Sequence, residues 1–211
     1  MHAGSRLYWP DMRKDVRILG LAGTLASGKD TVSHLLAEKY GFLHISTSDM
    51  LRAAKRKMFG NTPQALLLRN DPFANNLRAT RGPGILVDLA LNEYSQRQNK
   101  YPGGVVISGI RSIGEIESLH KAGGVLLFVD ADPKVRYNRT IKRVRDANEQ
   151  GTSFEDFMKM EASERPADNA DKTIQNLNAA KEMADLHLEN NGNDLSVFKE
   201  EIKELVAPLL K

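Results

Sequence analysis

Apolar residues fall along this chain in short blocks, separated by longer stretches in which they recur every three or four positions. The blocks are Val16–Ala22, Gly41–Ile45, Val105–Ile107, Gly123–Asp130 and a short run around Leu186 and Leu188. Most are unbroken apolar runs too short to make helices, as expected of strands buried on both faces. Between them, Val32, Leu35, Leu36 and Tyr40 keep helical spacing, so a helix starts at about Asp30. Ile85, Leu86, Leu89 and Ala90 open another that runs to about Gln98, and Leu195, Phe198, Ile202, Leu205 and Val206 mark the sheet-covering face of a last one over 194–210. Local signals set the ends. Gly41 closes the first helix, Ser48 or Asp49 caps the second, and Thr62 with Pro63 starts a third. Asn70-Asp71-Pro72 reads as a turn. Ser112 to Glu115 forms a capping box, which gives Glu115 a sufficient structural role. Strands alternating with helices predict an α/β domain.

The first strand and helix enclose Gly23-Thr24-Leu25-Ala26-Ser27-Gly28-Lys29-Asp30-Thr31, which fits G-x-x-x-x-G-K up to its lysine. The setting of strand, glycine-bounded loop and helix is the one that motif requires. Loop N–H groups and the helix N-terminus converge on an anion there. Gly23 and Gly28 let the backbone bend round a phosphate, and Lys29 adds a mobile charge for the β- and γ-phosphates. Gly23, Ala26, Ser27, Gly28, Lys29, Asp30 and Thr31 are therefore the candidate donor-binding residues. Asp30 departs from the usual Ser or Thr after the lysine. Beside a triphosphate its carboxylate needs Mg²⁺, or the ion's water shell, in between. Alternatively it is a first-turn acid favoured by the helix dipole.

Composition narrows the remaining possibilities. The 211 residues suit one α/β domain, and 41% hydrophobic content supports a core. The net charge of +3 is modest and the basic residues are scattered, so no nucleic-acid arm is evident. With no cysteine there is no disulfide and no thiolate metal site. No apolar run is long enough to cross a membrane, and residues 1–15 carry no apolar signal core. A cytoplasmic protein with a short N-terminal extension is the expectation, with the main domain over 16–211.

Ser46-Thr47-Ser48-Asp49-Met50-Leu51-Arg52 resembles the Ser-Thr-Gly-Asp-Met-Leu-Arg run of adenylate-kinase-type nucleoside monophosphate kinases, with Ser48 in place of glycine. That resemblance implies an acceptor arm over about 49–100, in which Arg52 grips the acceptor phosphate. An arginine fork suits phosphate oxygens. Leu77-Arg78 through Gly82 is similar to a pattern in archaeal dephospho-CoA-kinase-like nucleotide kinases. It makes Arg78 a second acceptor ligand and Arg81 a weaker one. Val105-Val106-Ile107-Ser108-Gly109-Ile110-Arg111 resembles the same archaeal group and phage-type deoxynucleoside monophosphate kinases, and gives Arg111 the acceptor-phosphate role. Ser108 stands where many such enzymes place an acid that orients Mg²⁺.

Arg136, Arg139 and Arg143 lie at i, i+3 and i+7, on one helical face. Nucleotide kinases use arginines of this helix and the following lid on the transferring phosphates. The resemblance thus makes Arg139 and Arg143 candidate catalytic residues, with a lid over about 146–166. Dephospho-CoA kinases place the loop after a strand like Ala184–Leu188 beside the adenine, so Asn190, with Asn191 and Gly192, becomes a base contact.

Together these segments imply a five-stranded parallel sheet of the P-loop nucleotide-kinase type, using ATP and Mg²⁺ and a small nucleotide acceptor. A phosphate acceptor needs no strong base. A ribose hydroxyl, as in dephospho-CoA, would need one, and Asp49 is the first candidate, with Asp30 behind it. Convergence of Arg52, Arg78 and Arg111 favours a nucleoside monophosphate. A switch GTPase is disfavoured because Asn99-Lys100-Tyr101-Pro102 lacks the acid that pairs with guanine. A non-catalytic nucleotide-binding module stays open, because of Ser108.

Overall fold

The computed structural model describes residues 15–60, 70–142, 153–164 and 171–210. Five strands, β1 (Ile18–Gly23), β2 (Phe42–Ser46), β3 (Gly104–Ser108), β4 (Val125–Asp130) and β5 (Leu186–Glu189), form one sheet in the order β2-β3-β1-β4-β5. Every pairing is parallel: Gly20 lies opposite Ile107 on one side of β1 and Leu126 on the other. A parallel sheet needs crossovers, and these are the helices α1 (Lys29–Tyr40), α2 (Thr47–Phe59), α3 (Asn70–Arg81), α4 (Ile85–Arg97), α5 (Ile113–Lys121), α6 (Pro133–Lys142), α7 (Phe154–Ser163), α8 (Leu177–Glu182) and α9 (Leu195–Val206). No helix among the described residues is long and apolar enough to cross a membrane.

The helices bury both faces. Leu21, Val32, Leu36, Val106, Leu127, Phe198, Ile202 and Val206 form one core cluster. Leu43, Ile45, Val87, Ala90, Ile107, Ile116, Leu119, Leu126 and Phe128 form the other. This is why the strands read as continuous apolar runs. A smaller cluster of Leu51, Ala74 and Leu86 ties α2 to α3 and α4, the three helices of the predicted arm.

Three local expectations change. The cap of α2 is Ser46, whose hydroxyl accepts from Asp49 N at 3.2 Å, so Ser48 and Asp49 already lie inside the helix. Asn70-Asp71-Pro72 begins α3 and is not a turn, since a first-turn proline has no helical N–H to lose. Leu195, expected on the sheet-facing side of α9, is 56% exposed, while Phe198, Ile202, Leu205 and Val206 are buried as expected. The Thr62–Pro63 helix start, Arg143 and the predicted lid tip at 146–151 lie outside the described residues.

Candidate phosphoryl-transfer site

The site sits where parallel sheets concentrate their ligands, at the C-terminal ends of the central strands. β1 ends in Gly23 with φ +134°, where an added Cβ would stand 2.0 Å from Val129 O. Gly28 has φ +112° and opens α1. Between them Ala26 also takes a left-handed φ of +59°, which costs an alanine about 1–2 kcal/mol. Side chains hold the loop in that shape. Ser27 Oγ donates to Thr24 O at 2.9 Å, Thr24 Oγ1 to Asp130 Oδ1 at 2.8 Å, and Asn190 Nδ2 to Ser27 O at 2.8 Å. Arg139 donates to Ala26 O at 3.4 Å, Asn190 O at 3.0 Å, Asn190 Oδ1 at 3.1 Å and Gly192 O at 2.7 Å. Asn190, expected at the adenine, is thus turned onto the loop with Arg139, and Asn191 Oδ1 accepts from Asp132 N at 2.6 Å.

Lys29 Nζ lies over the loop, donating to Gly23 O at 2.9 Å and Thr24 O at 2.5 Å. Burial, reinforced by the positive charge of Arg111, lowers its pKa from 10.5 to about 7, against the opposing pull of Asp30 and Glu164. The unfolded chain therefore binds more protons than the folded one between those two values. The stability of the ligand-free protein rises with pH across that window, and below it the full cost of the buried cation is present. A polyphosphate beside Nζ would restore the proton. We expect ATP binding at about pH 8.5 to take up a proton, read as a binding enthalpy that depends on the ionisation enthalpy of the buffer. A buffer-independent enthalpy would show that Lys29 does not meet the phosphates.

Two cavities share the loop. One, of about 550 Å³, is lined by Ala26, Gly28, Thr31, Arg139 and Asn190, with Val135, Ile141, Leu195 and Phe198 as apolar walls. Its lining mixes these apolar walls with polar side chains, and Leu195, exposed on α9, is one of the walls. The other, of about 610 Å³, is lined by Ser27, Gly28, Lys29 and Asp30 on one side and His44, Asp49, Arg52, Ser108 and Arg111 on the other. It continues into a recess of about 100 Å³ between α2, α3 and the end of α7. The recess contains Thr47, Leu51, Arg78, Glu164 and Gln175, and shares Ser48, Gly109 and Arg111 with the larger cavity.

The arginines proposed as acceptor ligands have different surroundings. Arg52 is half-exposed and pairs with Asp49 one turn away. Burial raises the Asp49 carboxyl, but hydrogen bonds from Arg52 and Ser46 outweigh it and hold the group below its ordinary value. Arg111 Nη1 meets Glu164 at 2.6 Å and Gln175 Oε1 at 3.2 Å. Arg78 is 2% exposed, and its Nε and Nη2 meet Glu115 at 2.9 and 2.8 Å. Its Nη1 donates to Asn75 Oδ1 at 3.0 Å and Thr173 O at 3.4 Å. Its guanidinium thus bonds the protein through every nitrogen, while its side chain lines the recess that Arg111 shares. Arg81 is exposed at the end of α3 and lines neither cavity. Arg136 is likewise buried, bonded to Ala131 O at 2.7 Å and paired with Glu161 of α7. Its face-sharing with Arg139 therefore does not bring the two to one anion.

Ser108 shares a 2.8 Å hydrogen bond with His44 Nε2, a residue that sequence reading passed over. The partnership exists because β2 and β3 run in register, Ser46 beside Ser108. Burial, helped by the neighbouring His34 imidazole, lowers the pKa of His44 and keeps it neutral at pH 7. For Mg²⁺, no group of three or more His, Asp or Glu among the described residues could hold an ion alone. Mg²⁺ carried by a nucleotide needs only one or two carboxylates besides phosphates and water. Asp30, at the loop on the cavity wall, fits that demand.

A family model described as an AAA domain matches residues 22–157. A UPF0200 protein of Pyrobaculum aerophilum is 35% identical over 146 residues, 68% of this chain and 74% of its own. A UPF0200 protein of Saccharolobus islandicus is 27% identical over 199 residues, 93% of this chain and 95% of its own. TT1252 from Thermus thermophilus shares the fold with a TM-score of 0.54 at 22% identity, covering 92% of this chain and 98% of that one. A shikimate kinase from Bacteroides thetaiotaomicron does so at 0.53 and 17%, covering 90% and 98%.

Proposed function

We propose, from the premise that the chain belongs to the UPF0200 family and to the AAA-domain family, that it transfers the terminal phosphoryl group of ATP to a nucleoside monophosphate. The observation that carries this reading is the single 610 Å³ cavity with the phosphate loop on one wall and Arg52 and Arg111 on the other. A donor phosphate on Lys29 and an acceptor phosphate on Arg111 would share one cavity, which in-line transfer requires.

In that scheme the base of ATP lies in the 550 Å³ cavity between Ile141 and Leu195, and its phosphates lie on the loop. Lys29 supplies positive charge to the transferring group in a site of low dielectric. Asp30 would hold Mg²⁺ through its water, and the ion would neutralise charge on the β- and γ-oxygens. Arg52 and Arg111 bring the acceptor phosphate in against its own negative charge. Both are paired with acids in the protein, so an incoming phosphate exchanges one anion for another and leaves no arginine unpaired. The acceptor oxygen is already anionic. The absence of a strong base at Asp49, held ionised by Arg52 and Ser46, is therefore consistent with a phosphate acceptor.

One observation favours a second acceptor class. Neutral His44, bonded to Ser108 in the same cavity, could take a proton from a hydroxyl such as the ribose of dephospho-CoA. The deciding experiment measures ADP release with AMP, CMP, UMP, GMP, their deoxy forms and dephospho-CoA at equal concentration. Preferential turnover of a monophosphate supports the first reading. Preferential turnover of dephospho-CoA replaces it with the second. No acceptor-dependent release at all would leave a nucleotide-binding module.

A further inference from the structure

Arg78 and Glu115 form a buried ion pair that the proposed chemistry does not use directly. The side chains are 2% and 0% exposed, and they link α3 of the arm to the first turn of α5 across 37 positions of sequence. A buried pair of this kind is weak support for stability, because desolvation offsets most of its attraction. Its second carboxylate oxygen does something more specific. Glu115 Oε2 accepts from Arg111 N at 2.8 Å and from Ser112 N at 3.2 Å. The carbonyl of the same Arg111 accepts from Asn176 N at 2.7 Å. Arg111 thus has its backbone fixed at both ends, and the clamp on its N–H is anchored by Arg78.

A capping box alone needs only the bond from Glu115 to the Ser112 amide, with Ser112 Oγ accepting from Glu115 N. The additional bond to Arg111 N, and the guanidinium behind it, are more than a helix end requires. They place the Cα of the one acceptor-side arginine that stands on a loop at the end of a strand. Arg52, in contrast, is positioned by its own helix.

We propose that Glu115 is a positioning residue for Arg111, with Arg78 serving only to neutralise its buried charge, and that this relay from Glu115 to Arg111 sets acceptor affinity without touching the acceptor. The proposal rests on the acceptor role given above to Arg111.

The test uses two double variants of the full chain, so that no buried charge is stranded. Arg78→Met/Glu115→Leu removes both the pair and the acceptor for the Arg111 amide. Arg78→Met/Glu115→Gln removes the charges but keeps an oxygen for that amide. Both are expected to fold, with unfolding midpoints close to each other. Amide hydrogen exchange at Arg111 and Ser112 should accelerate about tenfold or more in the leucine variant and remain near wild type in the glutamine variant. With the monophosphate that the panel turns over fastest, the leucine variant should raise the acceptor KM by roughly tenfold or more while the ATP KM stays within about twofold. The glutamine variant should recover most of that loss. Wild-type exchange at both amides in the leucine variant would overturn the proposal. So would acceptor and ATP constants that rise together, which is what a merely structural pair predicts. If no monophosphate is phosphorylated, the proposed function fails on its own, and the exchange measurement still decides the relay.

Discussion

Replacing Lys29 by alanine should lower turnover by roughly a hundredfold or more while the fold survives. The ammonium group stands over the phosphate loop at 2.5–2.9 Å from two of its carbonyls, close to where the transferring group would carry its charge. Arg136 is sealed against Glu161 and Arg139 is bonded to the loop's own carbonyl, so neither of these described helix arginines stands ready to take over that charge. The variant should unfold at the same or a higher midpoint than the parent. Lys29 has its pKa depressed to about 7, so the folded protein holds the charge at a cost that alanine removes. Steady-state ADP release alongside thermal unfolding separates the two effects. Near-parental turnover in a folded variant would reject the phosphate-loop assignment.

Replacing Arg111 by alanine should raise the acceptor KM by roughly a hundredfold, with the ATP KM little changed. Loss of one partner of a close charge pair costs about 2–5 kcal/mol. The loss should be compounded by Glu164, whose carboxyl group loses its arginine partner beside the recess. Arg52→Ala should act in the same direction but less, since its side chain is about half in water and there the field is weaker. Initial-rate measurements varying each substrate in turn distinguish the two sides. An Arg111→Ala variant affected only in ATP would move that arginine to the donor side.

The core and the donor half of the site were legible because they are local. The apolar run of β1, two glycines, a lysine and the spaced leucines of α1 lie within Ile18–Tyr40, where spacing alone fixes the geometry. The capping box at Ser112 was equally local. Contacts that join distant elements were not legible. The partnership of Arg78 with Glu115 needs α3 to pack beside the start of α5, and no periodicity states that. His44 reads as one polar residue in an apolar strand until the β2–β3 register brings it to Ser108. Resemblance makes Asn190 a base contact, but its side chain bridges the loop, its Nδ2 donating to Ser27 O while its Oδ1 accepts from Arg139. Ala26 gives no sign in its chemistry that it must take a left-handed φ. Only the closure of the loop around it requires that.

The strand order has a consequence for how such a protein diversifies. β1 is the midline. The apolar walls of the cavity proposed for the donor base, Val135, Ile141, Leu195 and Phe198, lie beyond β4 and β5, and the two arginines proposed to meet the acceptor, Arg52 and Arg111, follow β2 and β3. Apart from Glu164, Gln175 and Asn176, which reach across to hold Arg111, mutations on one flank would leave the other flank's proposed ligand untouched, and the two binding preferences could drift as separate characters. Descendants of one ancestor would keep a common phosphate donor while their acceptors diverge. Chimaeras exchanging the β2–β3 flank at the edges of β1 would be expected to inherit the acceptor of the inserted half and the donor of the host.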